Sequence, residues 1–182
     1  MKKILLLTLV FALSLSCQDG NKTINKEKFI TALAIINPKS GSDVSGEVNF
    51  IDSSGTIHLK ANIEGLSYGE HAIHIHEFGD CSSDDGKSAG GHWNPTQQDH
   101  GQWDHNHFHL GDIGNIFADS TGKGEISLST KLWCLDCKDS VKNIIGKSII
   151  IHHGADDFIS QPSGAAGKRI GCGEIIIINN YQ

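Results

Sequence analysis

From Thr56 to Ile63 the chain alternates without a break, with Ile57, Leu59, Ala61 and Ile63 on one parity and His58, Lys60 and Asn62 on the other. Successive side chains of a β-strand point to opposite faces, so this pattern buries one face and wets the other only when extended. Val48 and Phe50 alternate just upstream, and Asp52-Ser53-Ser54-Gly55 supplies turn residues between the two stretches, which predicts a hairpin. Further strand candidates, rich in β-branched residues, are Ala32–Ile36, Ile113–Ala118, Glu125–Thr130, Lys147–His152 and Ile170–Ile178. Thr121-Gly122-Lys123-Gly124 reads as another turn. No window holds a helical period and no segment repeats. About eight short strands joined by Gly-rich turns make an all-β sandwich or flattened barrel.

A chain of 182 residues holds one such domain. Its net charge of −6 excludes the basic footprint that nucleic-acid binding requires. The first residues read as an export signal: Lys2 and Lys3, then an apolar run from Ile4 to Leu13, then the small residues Ser14-Leu15-Ser16. That run is too short to span a bilayer as a retained helix. Cys17 stands where bacterial lipoprotein signals place the acylated cysteine, and the segment resembles those signals. The expectation is a signal over 1–16, a lipidated Cys17 with a flexible polar tether over 17–28, and the folded domain over 29–182. The protein would then be held in the cell envelope, in the periplasm or at the outer membrane, touching the membrane only through its lipid; the alternative is a soluble secreted or periplasmic protein. Either compartment permits disulfides.

Two stretches, Gly79–Gly111 and Asp156–Lys168, are polar, Gly-rich and unpatterned, and long loops of that kind are uncommon unless functional or disordered. The first carries five of the eleven histidines, and eight fall between His71 and His109. His74 and His76, two apart on a strand, share one face while Ile73 and Ile75 take the other. A lone His-x-His in a strand is more often a polar solvent face. Here His92, His100, His109 and Asp112 follow in one loop and His152 ends a later strand. Imidazole suits copper and zinc, and a carboxylate is an acceptable zinc ligand, so seven such groups are enough for two metal sites.

These residues carry a resemblance. From about Phe29 to Ile178 the chain resembles the copper-zinc superoxide dismutases, through His74-Ile75-His76-Glu77-Phe78-Gly79-Asp80, Gly90-Gly91-His92-Trp93-Asn94-Pro95, His109-Leu110-Gly111-Asp112, the 146–152 segment ending in His152, and Gly167-Lys168-Arg169-Ile170-Gly171-Cys172-Gly173. The resemblance implies a Greek-key sandwich or flattened barrel of about eight antiparallel strands with long metal-binding loops. It implies copper on His74, His76, His92 and His152, and zinc on His92, His100, His109 and Asp112, with His92 bridging the two and acting in catalysis. Asp156 matches a carboxylate linking a copper histidine to a zinc histidine, and Arg169 a catalytic guanidinium beside the copper. The implied substrate is the superoxide anion, and a second copy of the chain is left open as a partner. Net negative charge does not forbid an anionic substrate, because local fields in a cleft outweigh distant charges screened beyond about 8 Å. Lys168, beside Arg169, is a candidate for such a field.

With Cys17 given to lipid, the four remaining cysteines allow three pairings. The resemblance selects Cys81–Cys172. The Cys134-Leu135-Asp136-Cys137 pair departs from the family pattern; lacking a surrounding βαβ unit, it reads as a small local disulfide rather than a redox motif. His105 and His107 match no family ligand and read as exposed loop residues. His71 reads as a hydrogen-bonded structural histidine.

Overall fold

A computed structural model describes residues 29–180, and the expected signal segment, Cys17 and the tether lie outside them. The strands are β1 (Ile30–Pro38), β2 (Ser45–Ser53), β3 (Thr56–Glu64), β4 (Gly69–His76), β5 (Asp112–Ala118), β6 (Gly124–Thr130), β7 (Ser148–His152), β8 (Arg169–Glu174) and β9 (Ile176–Asn180), with one 3₁₀ turn at Lys87–Ala89. They bond in the order β2-β3-β6-β5-β4-β7-β8-β1, and β1 returns to β2, so eight antiparallel strands close into a barrel with β9 added on β1. The β3–β4 and β6–β7 connections each pass over two strands, the Greek-key arrangement.

The alternation at Thr56–Ile63 is realised as predicted: Ile57, Leu59, Ala61 and Ile63 are buried, and Val48 and Phe50 of β2 lie with them in the core. Ser53 pairs with Thr56, leaving Ser54 and Gly55 as a two-residue turn with φ of 54° and 81°. Both positive angles match the twist of a tight hairpin, and the Gly55 N–H donates to Asp52 Oδ1 at 2.8 Å.

One strand expectation is corrected. Ile170–Ile178 is two strands rather than one, because the chain changes partners at Ile175. Before it, β8 pairs with β7; after it, β9 pairs with the start of β1. Ile175 itself is buried and is held by exchange with the β6–β7 connection, donating to Lys147 O at 2.8 Å and accepting from Gly146 N at 3.0 Å.

Strands β4 and β7 are buried on both faces, which single-strand alternation does not reveal. Their inner face contributes Ile73, Ile75, Ile149 and Ile151 to the core. Their outer face carries His74, His76 and Ile150 and is roofed by the two long polar loops. A disulfide joins Cys81 in the first loop to Cys172 on β8, with Cα atoms 5.8 Å apart and a sequence separation of 91. Closing a loop of that length contributes roughly 4–5 kcal/mol in the chain-entropy picture. A second disulfide joins Cys134 to Cys137.

Candidate metal centre

Four pieces of backbone converge outside the β4–β7 face. β4 presents His74 and His76 from one strand face. The loop after it carries His92, whose backbone bridges to that of His76, and then His100 and His109. β5 opens with Asp112, and β7 ends at His152. All seven side chains are buried. Their donor atoms fall into two groups, each gathered within 4.8 Å: His74, His76, His92 and His152, and His92, His100, His109 and Asp112. His92 belongs to both, with its ring centroid 4.0 Å from that of His74 and 5.5 Å from that of His109.

Most of the rings are fixed by a hydrogen bond at one nitrogen. His74 Nε2 donates to Asp156 Oδ2 at 2.8 Å, His76 Nδ1 to Gly90 O at 3.0 Å, and His152 Nδ1 to Gly167 O at 3.3 Å. His100 Nε2 donates to Asp156 Oδ1 at 2.9 Å, and His92 Nδ1 stands 2.8 Å from Asp112 Oδ1. The opposite nitrogens are the informative ones. His74 Nδ1, His76 Nε2, His92 Nε2 and His152 Nε2 are buried and have no hydrogen-bond partner, while His100 Nδ1 and His109 Nδ1 stand 3.0 and 3.2 Å from the Asp112 carboxylate. A buried polar atom left unsatisfied costs about 1–3 kcal/mol, and four in one donor group call for a ligand. Three or four imidazoles suit copper, and three imidazoles with a carboxylate suit a closed zinc site. The residues present therefore fit both metals.

Electrostatics agree with cation binding. Burial, with neighbouring imidazoles, holds His76 and His152 well below the ordinary histidine range, and burial lowers His92 to about 4. These rings are neutral at pH 7 and offer lone pairs. Burial pushes the Asp112 carboxyl upward, but the surrounding His100, His109 and His92 outweigh it and hold it ionised. Its Oδ2 also accepts from the backbone of Gly101 at 3.1 Å and His109 at 2.8 Å, which fixes the carboxylate plane.

The cleft leading to this cluster is lined by His76, His92 and His152 together with Arg169. The guanidinium donates from Nη1 to Gly86 O at 2.8 Å and from Nη2 to Gly90 O at 2.7 Å. Lys168 lies on the adjoining surface with Arg169 and Lys87. His105 and His107 are exposed and stand outside both donor groups. His71 is buried, with Nδ1 3.0 Å from His152 O and Nε2 2.9 Å from Ser67 O, the structural role expected of it.

Sequence reasoning named Asp156 but missed two side chains that brace it and His100. Asn115 exchanges hydrogen bonds with the backbone of Asp156, at 2.7 and 3.0 Å, and Gln161 does the same with His100, both at 2.9 Å. These partners are 41 and 61 residues apart, so no local pattern signals them.

A family model described as copper/zinc superoxide dismutase matches residues 44–175. An extracellular copper-zinc superoxide dismutase of Caenorhabditis elegans is 35% identical over 173 residues, covering 92% of this chain and 76% of that protein. Superoxide dismutase [Cu-Zn] 3 of Arabidopsis thaliana is 38% identical, covering 80% and 90%, and superoxide dismutase [Cu-Zn] 2 of Aquifex aeolicus is 38% identical, covering 73% and 80%. Both donor groups lie inside the matched span, and a likeness this extensive shows that the chain belongs to the copper/zinc superoxide dismutase family.

Proposed function

We propose that the family's reaction, dismutation of superoxide to oxygen and hydrogen peroxide, is carried here by copper on His74, His76, His92 and His152, beside zinc on His92, His100, His109 and Asp112. The observation that carries this assignment is the pair of donor groups: four buried, unpartnered ring nitrogens in the first, and three imidazoles turned to the buried Asp112 carboxylate in the second. Bound copper supplies a one-electron redox couple, and zinc supplies charge without redox change.

The chain's own residues supply the rest. Arg169, beside His76 and His152 in the cleft, places a fixed positive charge where a small anion enters. His92 shares one imidazole between the groups, and its Nε2, once released by copper, would be free to carry the proton that the peroxide product requires. Asp156 orients His74 and His100 together, and such outer partners set both ring direction and basicity. His92→Ala tests the shared role: superoxide decay should slow by at least about 100-fold, the scale of losing a positioned proton donor. A variant with full activity would remove His92 from the mechanism.

The reading of 1–16 as an export signal and of Cys17 as a lipid anchor, giving protection of the cell envelope, is also proposed. It is supported by the sequence pattern and by two disulfides, which persist in oxidising compartments. Relatives from Caenorhabditis elegans and Drosophila melanogaster are named extracellular. Labelled fatty acid should enter the protein in a bacterial host and fail to enter Cys17→Ala; equal labelling would discard the anchor.

A further inference from the structure

The β6–β7 connection, residues 131–147, passes over the barrel end at which β5 begins with Asp112. It carries Trp133, whose ring is 1% exposed and whose Nε1–H donates to Leu110 O at 2.8 Å. Leu110 lies between His109 and Asp112, two of the proposed zinc ligands. The Trp133 ring also meets Trp103, which meets Phe108, each pair with centroids 5.1 Å apart. Trp103 and Phe108 belong to the 101–108 segment between His100 and His109. One indole thus touches the zinc loop by a hydrogen bond and by a row of rings.

The Cys134–Cys137 disulfide lies immediately after that indole. It ties a turn in which Asp136 has φ of 57° and the buried Leu135 points inward. Around it Cys134 N donates to Lys142 O at 2.9 Å, Ile144 N to Cys134 O at 3.2 Å, and Asn143 Nδ2 to Cys137 O at 3.2 Å. Trp133 and Leu135 on one arm and Ile144 on the other are buried in the core, so the linked turn fixes the arm from which the indole reaches the zinc loop.

We infer that the Cys134–Cys137 loop is a clamp on the zinc loop, with Trp133 as its positioning residue, and that its disulfide makes zinc retention sensitive to dithiols. In the exchange the S–S bond of Cys134–Cys137 breaks and both sulfurs become thiols. The dithiol gives up two electrons and two protons and leaves as its own disulfide. Both residues of this pair are half-exposed, whereas the other disulfide joins the half-exposed Cys81 to the wholly buried Cys172. The inference rests on the zinc assignment proposed above.

The test is zinc release to a chromogenic chelator from the full metal-loaded protein. Asp112→Ala comes first: loss of tight zinc there locates the metal measured, and unchanged affinity would overturn both the assignment and the clamp. With the site located, the paired substitutions Cys134→Ser and Cys137→Ser should speed zinc release about tenfold, the lower range for losing a partner that orients ligands. Trp133→Phe keeps a ring against Trp103 and loses the N–H, so it should speed release by a smaller factor while leaving copper release unchanged. Dithiothreitol should accelerate zinc release from the parent protein and have no further effect on the double-serine form, which controls for reduction of Cys81–Cys172. Equal release rates from parent, reduced parent and both variants would overturn the clamp while leaving the zinc site intact.

Discussion

Arg169 and His76 donate to the same carbonyl oxygen, that of Gly90, at 2.7 and 3.0 Å. The guanidinium is therefore set at a fixed offset from an imidazole of the proposed copper group, and its other arm is held by Gly86. Arg169→Ala should slow superoxide decay tenfold or more, within the range of about 10–1,000 for a focused field on a small anion. Arg169→Lys keeps charge but cannot span two carbonyls, and should fall between. Lys168→Ala, more distant and more solvated, should have a weak effect that fades with added salt. Decay rates measured at several ionic strengths separate the three, and an unchanged rate for Arg169→Ala would end its role.

Asp156 holds one histidine of each group, so its loss should weaken both metals together. Asp156→Ala removes both acceptor oxygens, and affinity for copper and zinc should each fall by about 10–100-fold. Competition titrations with a chelator, read metal by metal, check it. Loss confined to one metal would show that the carboxylate acts on one side only.

Gly164 has φ of 66°, and a Cβ there would overlap Asp156 Oδ1 and stand 2.7 Å from His100 Nε2. Gly164→Ala should destabilise the fold by more than about 1 kcal/mol through backbone strain alone. It should also reproduce the two-metal loss of Asp156→Ala. A variant with parental melting temperature and metal content would contradict this packing.

Without metal, burial opposes charge on His100, but Asp112 and Asp156 on either side outweigh it and raise its pKa to about 9. Zinc requires His100 Nδ1 without a proton, so binding at pH 7 should release one. Calorimetry in buffers of different ionisation enthalpy reads that proton directly, and its release should vanish above pH 9. For the metal-free chain the sign follows from linkage. The raised pKa of His100 gives stability that is full below 6.5 and lost as pH rises through 9. The depressed pKa of His92 gives stability present above 6.5 and lost as pH falls through about 4. Melting temperature should decline on both sides, and zinc should abolish the alkaline decline.

Alternation alone determined β3 and its hairpin with β2, because period-two burial has one structural solution. Residue type and order were enough to nominate His74, His76, His92, His100, His109, Asp112 and His152, since few side chains can bind these metals. The tertiary structure decided what each imidazole does with its second nitrogen. For His76 and His152 that depends on carbonyls of Gly90 and Gly167, brought close only by barrel closure and loop folding, whereas the Asp156 carboxylate was already named by the resemblance. It also decided that the Ile170–Ile178 run divides at Ile175, because pairing partners rather than β-propensity end β8. The Cys134–Cys137 pair was legible as a local bridge. Its contact with the zinc loop, through an indole and a carbonyl 23 residues apart, was not, because a connection passing over a barrel end leaves no periodic trace in sequence.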